Sequence, residues 1–248
     1  MIDARLVDLL SGARRLLVFT GAGISTGSGI PDFRGPQGVW QRRRPVYYDE
    51  FLASEEKRVE YWDFKLEGWE SFRDAQPNAC HVAVARLARA GKVIATVTQN
   101  IDGLHQLATG DAGPVIELHD TNAATVCVTC GERADPAPAM AFFRAQRRCP
   151  VCACGGLLKL ATISFGQALD PDTVDRAAEA AEQADAVLSL GSTLSVYPAA
   201  EIPLIAARRG APYAVVNQGA TEHDQIATFK IDGDVGAIVP DAVRAILD

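Results

Sequence analysis

Residues 16–35 read Leu-Leu-Val-Phe-Thr-Gly-Ala-Gly-Ile-Ser-Thr-Gly-Ser-Gly-Ile-Pro-Asp-Phe-Arg-Gly, and no other stretch limits the fold so strongly. The apolar run Leu16–Thr20 requires a buried strand, and it breaks abruptly into Gly21-Ala22-Gly23. A strand that ends in Gly-x-Gly ahead of a helix lets backbone N–H groups and the helix N-terminus approach a phosphate. The Pro31-Asp32-Phe33-Arg34-Gly35 loop then adds a carboxylate, an aromatic face and a guanidinium, which is more chemistry than a turn needs. Gly-x-Gly by itself fits any tight turn, so the rest of the chain must supply the diagnosis.

Strand and helix signals alternate along the chain. Residues 1–15 carry an amphipathic helical pattern. From residue 49 to 72, Val59, Trp62, Leu66, Trp69 and Phe72 recur at steps of three and four, a helical stripe read as core. Pro77-Asn78 opens a helix that Gly91 closes, with His81 on its first turns as a structural hydrogen-bonding residue. Further strands are expected at Val93–Thr98, 115–118, Ala186–Leu190, 213–216 and 226–231, with helices at Pro171–Gln183, up to residue 209 and at the C-terminal end. Residues 36–48 are Gly-, Pro- and Arg-rich without a period and read as a mobile loop. Alternation of this kind predicts an α/β fold, a doubly wound and mostly parallel sheet with helices on both faces.

Bulk properties narrow the function. A chain of 248 residues allows one large domain, or a domain with a small insert. A net charge of −7 leaves no basic footprint for nucleic acid. No apolar run of about 18 residues exists, so no membrane span is expected. The N-terminal segment carries acids and is unlike a signal peptide, which points to the cytoplasm.

Cys80 stands alone, whereas Cys127, Cys130, Cys149, Cys152 and Cys154 cluster in a segment that interrupts the strand–helix rhythm. Without a secretory signal, such clustering reads as an inserted metal module rather than disulfides. Cys127 and Cys130 have knuckle spacing, and a tetrahedral thiolate site needs a second pair. Cys149, Cys152 and Cys154 compete for it: Cys149/Cys152 has the common CxxC spacing, and one of the three is spare. Four thiolates leave no open position, so the metal is structural.

The polar residues sort themselves by position. Gly21–Ser25, Gln99–Asp102, His119, Gly191–Thr193 and Asn217 each follow an apolar strand directly. In an open parallel sheet, ligands bind outside the carboxyl ends of the strands, so five segments deliver side chains to one crevice.

These residues carry a resemblance over nearly the whole chain. GAGIST, GIPDFRG, TQNIDGLH, ELH ahead of the cysteines, a Gly-Ser-Thr turn and VVN resemble the sirtuins, NAD-dependent protein deacylases. The resemblance implies one catalytic domain over 1–248. It has a Rossmann-type part at about 1–120 and 165–248, a small zinc module at about 121–164, and a helical portion of the small domain at about 36–75. It implies NAD as co-substrate, structural zinc with Cys154 at the position of the family's usual last ligand, and acyl-lysine proteins or peptides as partners, and it leaves the oligomeric state open. Cofactor contacts would come from Gly21, Ala22, Gly23, Thr26, Asp32, Phe33, Arg34, Gln99, Gly191, Ser192, Thr193, Asn217, Gln218 and Val235. Ile30, Asn100, Ile101 and Asp102 would line the nicotinamide pocket, with Asn100 and Asp102 taking part in catalysis. Phe33 would cover the face that nicotinamide vacates, and Arg34 would orient Asp32. His119 would be the base that deprotonates a ribose hydroxyl. Phe165, Gly166, Val196 and Tyr197 would flank the substrate peptide, which adds as a strand.

The pattern also departs from expectation in places. Thr26 replaces the third glycine of GxGxxG and no ribose-binding acid follows, which disfavours a hydride-transfer dehydrogenase. Asp120 stands where the family usually has glycine, and could either raise the pKa of His119 or point to solvent. Trp62 and Lys65 occupy the positions of a Tyr-x-x-Arg pair found in members that remove acidic acyl groups, which disfavours that specialisation. The reading is therefore an NAD-dependent lysine deacylase, in the simplest case a deacetylase. The alternatives are a protein mono-ADP-ribosyltransferase and a non-catalytic NAD-sensing module.

Overall fold

The computed structural model describes residues 2–33, 35, 38–39 and 43–248. After helix α1 (Ala4–Gly12), capped by the Asp3 carboxylate on the Arg5 N–H, the chain enters β1 (Leu16–Thr20). The expected loop at 36–48 falls partly outside the described residues (36, 37 and 40–42), and Tyr48 already belongs to α2 (Tyr48–Ala53). The helix expected at 49–72 is two helices, because α3 (Glu55–Asp74) starts afresh at Ser54. Ser54 has an extended backbone, its Oγ accepts the Lys57 N–H, and Glu55 and Glu56 favour the new N-terminus.

From there the rhythm runs as expected through α4 (Ala79–Arg89), β2 (Val93–Thr98), α5 (Leu104–Thr109) and β3 (Val115–Glu117). The cysteine segment contains β4 (Thr125–Cys127), β5 (Arg133–Ala134), α6 (Pro136–Gln146) and β6 (Leu158–Leu160). The chain then returns through α7 (Pro171–Gln183), β7 (Ala186–Leu190), α8 (Glu201–Arg208), β8 (Tyr213–Asn217), β9 (Phe229–Asp232) and α9 (Val235–Leu247).

Six strands make one sheet in the order β3-β2-β1-β7-β8-β9, with every neighbouring pair parallel. Period two explains its burial. Leu16 and Val18 pack with α1, α4 and α9 on one face, while Leu17 and Phe19 pack with α7 and α8 on the other. The chain winds outward from β1 to β3, then restarts at β7 and winds the opposite way. The switch point therefore falls between β1 and β7, where an open sheet leaves a crevice. The insert forms a separate antiparallel sheet, β5-β4-β6. Its inner side packs on α3, with Trp62, Phe143, Met140 and Leu160 in one apolar cluster.

Candidate active site

The strand ends at the switch point are pinned by backbone. Gly21 N–H donates to Leu190 O at 3.0 Å and Gly23 N–H to Gly191 O at 2.8 Å. Only glycine fits this approach: a Cβ on Gly23 would sit 2.8 Å from Gly191 Cα. Gly191, at φ +60°, would place one 2.4 Å from Ile24 N. In place of the α-helix expected after Gly23, two short 3₁₀ turns follow, Ala22–Ile24 and Thr26–Ser28. Thr26 is exposed, donates its hydroxyl to Gly23 O and lies off the cleft wall, so it closes the turn rather than meeting a ligand.

Around this point opens a cleft of about 1260 Å³. That exceeds the roughly 300–1000 Å³ that holds one drug-sized ligand, so a dinucleotide and an acyl-lysine side chain have room together. Gly21, Ala22, Gly23, Ile30, Asp32, Phe33, Gln99, Asn100, Ile101, Asp102 and His119 line it, as do Gly191, Ser192, Thr193, Asn217 and Gln218. So do Phe165, Gly166, Val196 and Tyr197, so sheet-end residues and substrate-loop residues share one wall. Of the remaining cofactor expectations, one falls on a residue away from the cleft and one lies outside the described residues. Val235 is buried in the α9 core and its side chain does not reach the cleft. Arg34 lies outside the described residues; among the described residues the Asp32 carboxylate accepts the Gly35 N–H at 2.8 Å.

The polar groups hold one another in place. Asp102 accepts the Ser25 hydroxyl at 2.7 Å and the Leu104 N–H at 3.0 Å. Asn100 Nδ2 donates to Gly21 O at 3.2 Å and Ser25 Oγ at 3.1 Å. Gln99 Nε2 donates to Ser192 Oγ at 2.8 Å, tying the ends of β2 and β7. His119 Nδ1 lies 2.9 Å from Gln99 O. A carbonyl can only accept, so Nδ1 carries the proton and Nε2 keeps the lone pair a base requires. Asp120 does not simply point to solvent. It sits at φ +54° and gives both oxygens to Arg133, at 2.7 and 2.8 Å.

Beneath the cleft floor lie two buried histidines. His81 Nδ1 accepts the Asn78 N–H, a structural hydrogen bond of the kind expected of it, and His81 stacks edge-on against His105 at 4.9 Å. Burial, and then repulsion from His81, push the His105 imidazole down to about 3. Above an unfolded-state pKa near 6.5 neither state binds the proton; below it only the unfolded chain does. His105 therefore contributes stability that is full above pH 6.5 and lost by about 1.4 kcal/mol per pH unit as the pH falls toward 3. Urea denaturation of wild type and His105→Gln between pH 7 and pH 5 is expected to give a shallower decline for the variant. Equal slopes would contradict this role.

Sequence reasoning missed how far the cleft reaches into the small domain. Phe64, Lys65, Trp69 and Phe72 of α3 line it together with Thr162 and Ile163. Trp69 and Phe72 were read as core because a stripe at helical spacing looks the same on either side of a cavity wall. Trp62 is core, fully buried with Nε1 on Leu158 O. Lys65 Nζ reaches Thr162 Oγ1 at 3.3 Å, and burial, with Lys159 nearby, lowers its ammonium to about 7.

The thiols of Cys127, Cys130, Cys152 and Cys154 all lie within 4.8 Å of one another. The Cys127–Cys154 and Cys130–Cys152 sulfurs are 3.5 and 3.8 Å apart. A tetrahedron with Zn–S bonds of about 2.3 Å has edges of about 3.8 Å, so this set fits zinc. Gly156 leaves room for it, since a Cβ there would stand 2.5 Å from Cys127 Sγ. Cys149 is not a ligand, which removes the Cys149/Cys152 reading. Its thiol points into the apolar cluster against Pro150 O and Leu158 O, and burial raises it to about 11. Among the described residues, no helix is long and apolar enough to cross a membrane.

Comparison with known proteins agrees with this geometry. The model of the Sir2 family matches residues 21–198. An NAD-dependent protein deacetylase of Rhodopseudomonas palustris is 41% identical over 94% of this chain and 92% of its own length. NAD-dependent protein deacetylase 1 of Bradyrhizobium diazoefficiens is 43% identical over 94% and 91%. Among solved structures, a Sir2 variant with deacetylated p53 peptide and 3′-O-acetyl ADP ribose superposes with a TM-score of 0.91. It is 36% identical, covering 99% of this chain and 98% of that one. A Sir2 complex with p53 peptide and NAD+ gives 0.86 at 38% identity, covering 99% and 98%.

Proposed function

This chain belongs to the Sir2 family, and from that premise we propose how its cleft removes acyl groups from protein lysines. It is an NAD-dependent protein deacetylase, acting on acyl-lysine proteins or peptides and carrying a structural zinc. One observation carries the assignment of roles: strand-end residues from β1, β2, β3, β7 and β8 meet the loops of Phe165 and Val196 in a single cleft. NAD held there would supply an electrophilic ribose C1′, whose bond to nicotinamide would be exchanged for one to the acyl oxygen.

Gly21, Ala22 and Gly23, with Ser192 and Thr193, hold phosphate and ribose, and Asn217 and Gln218 the adenosine ribose. Ile30, Asn100, Ile101 and Asp102 enclose nicotinamide, and the Ser25 and Leu104 bonds keep the Asp102 carboxylate from turning away. Phe33 covers the vacated face and excludes water. His119 Nε2 takes the proton of a ribose hydroxyl, the Gln99 carbonyl fixing its tautomer. Phe165, Gly166, Val196 and Tyr197 flank the substrate backbone, and recognition through backbone pairing predicts a loose sequence preference. Thr26 and Val235 support this cleft from outside it, and Asp32 shapes the loop through Gly35. The sheet and the small module form one catalytic domain over residues 1–248. None of the six cysteines is in a disulfide, which fits the cytoplasm.

Incubation with an acetyl-lysine peptide tests the reading. Deacetylation is expected only when NAD is present, with one nicotinamide released per peptide. ADP-ribose attached to the peptide, or unchanged NAD, would replace it with the transferase or the NAD-sensing reading.

A further inference from the structure

The residue that follows the base carries a side chain where the backbone favours none. Asp120 occupies the left-handed region at φ +54°, which aspartate and asparagine tolerate better than most residues. Its carboxylate makes a two-point ion pair with the guanidinium of Arg133, geometry that fixes direction as well as distance. Arg133 does not belong to the sheet that carries the base. It stands on β5, three residues after Cys130, opposite Val126 of β4, and the preceding Glu132 carbonyl accepts the Cys127 N–H at 2.9 Å.

The His119–Asp120 corner is therefore gripped from three directions. Gln99 O, at the end of β2, holds the imidazole. Ile163 N–H, just beyond β6, donates to His119 O at 2.9 Å. Arg133 holds the next residue from β5. The other charged groups near Asp120 are Lys159 on β6, whose ammonium donates to Leu160 O and Thr162 O, and the half-buried Glu117 on β3. Both Asp120 oxygens are taken up by Arg133.

We propose that Asp120 and Arg133 are positioning residues for His119: their ion pair ties the corner that carries the imidazole to the metal-binding hairpin. The inference rests on the reading of His119 as the base. Neither residue lines the cleft, so their effect is confined to the step that uses the imidazole and leaves nicotinamide cleavage alone.

The test compares Asp120→Asn, Arg133→Ala, Arg133→Lys and the Asp120→Asn/Arg133→Ala double variant. Two rates are measured: deacetylation kcat, and exchange of labelled nicotinamide into NAD, which needs cleavage but not the base. Each of the Asn and Ala variants is expected to lose about two- to fivefold in deacetylation kcat, the scale of a partly exposed ion pair. Exchange and bound zinc should stay unchanged, and the double variant should be no worse than the poorer single one. Arg133→Lys, with one charged donor in place of a fork, should fall between Ala and wild type. Wild-type deacetylation in both single variants, losses that multiply in the double variant, or an equal fall in exchange would each overturn the proposal. His119→Ala in the same assays separates the two ideas. If that variant deacetylates at the wild-type rate, the reading of His119 as the base fails, whatever the pair variants do.

Discussion

His119→Ala is expected to lose deacetylation by about 10²- to 10⁴-fold, the range a positioned general base supplies, while nicotinamide exchange persists. The split follows from where each group sits. Asn100 and Asp102, proposed to enclose nicotinamide, are fixed by Gly21 O, Ser25 and Leu104, none of which depends on His119. The imidazole is held separately, by the Gln99 carbonyl, with Nε2 as its basic atom. Removing it takes away the proton acceptor for the ribose hydroxyl and leaves the leaving-group pocket as built. Single-turnover measurements of both products would check this. Equal loss of exchange and deacetylation would mean that His119 acts earlier than proposed.

The second large effect concerns the metal. A structural zinc contributes on the order of 10 kcal/mol or more to the folding of the module that holds it, comparable with the whole stability of a typical domain. Cys130→Ser or Cys152→Ser is therefore expected to abolish zinc binding and unfold the β5-β4-β6 sheet. Cys149→Ser should keep one zinc per chain, because that thiol faces apolar residues and two carbonyls instead of the other four sulfurs. Its cost is confined to packing. Metal content after dialysis, together with circular dichroism, would distinguish the three variants. Loss of zinc from Cys149→Ser would contradict the assignment of ligands.

What could be read from the chain itself divides along physical lines. The strand ends were legible because a buried parallel strand is a continuous apolar run, and the polar residues after it have to face the crevice. Gly21–Gly23, Gln99–Asp102 and His119 were placed that way, and they do line one cleft. The break at Ser54 left a local signal, a capping serine before two glutamates, that the longer apolar stripe overrode. Other features left no local signal. Cys149 and Cys154 differ in which way the chain turns after Pro150, and the spacing of cysteines does not encode that. The Asp120–Arg133 pair joins β3 to β5 through space, and the two 3₁₀ turns after β1 follow from backbone contacts with Gly191. Trp69 and Phe72 share the periodicity of core residues, and only the cavity beside them distinguishes the roles.

In the proposed reaction the acyl group leaves lysine for ADP-ribose within this cleft. The most direct measurement follows a peptide whose acetyl carbonyl carbon is labelled, with NAD in excess, and identifies the labelled product by mass spectrometry within one turnover. The expected label is on an O-acetyl ester of ADP-ribose, equal in amount to the nicotinamide released. Label recovered directly as free acetate, with NAD intact, would contradict the account.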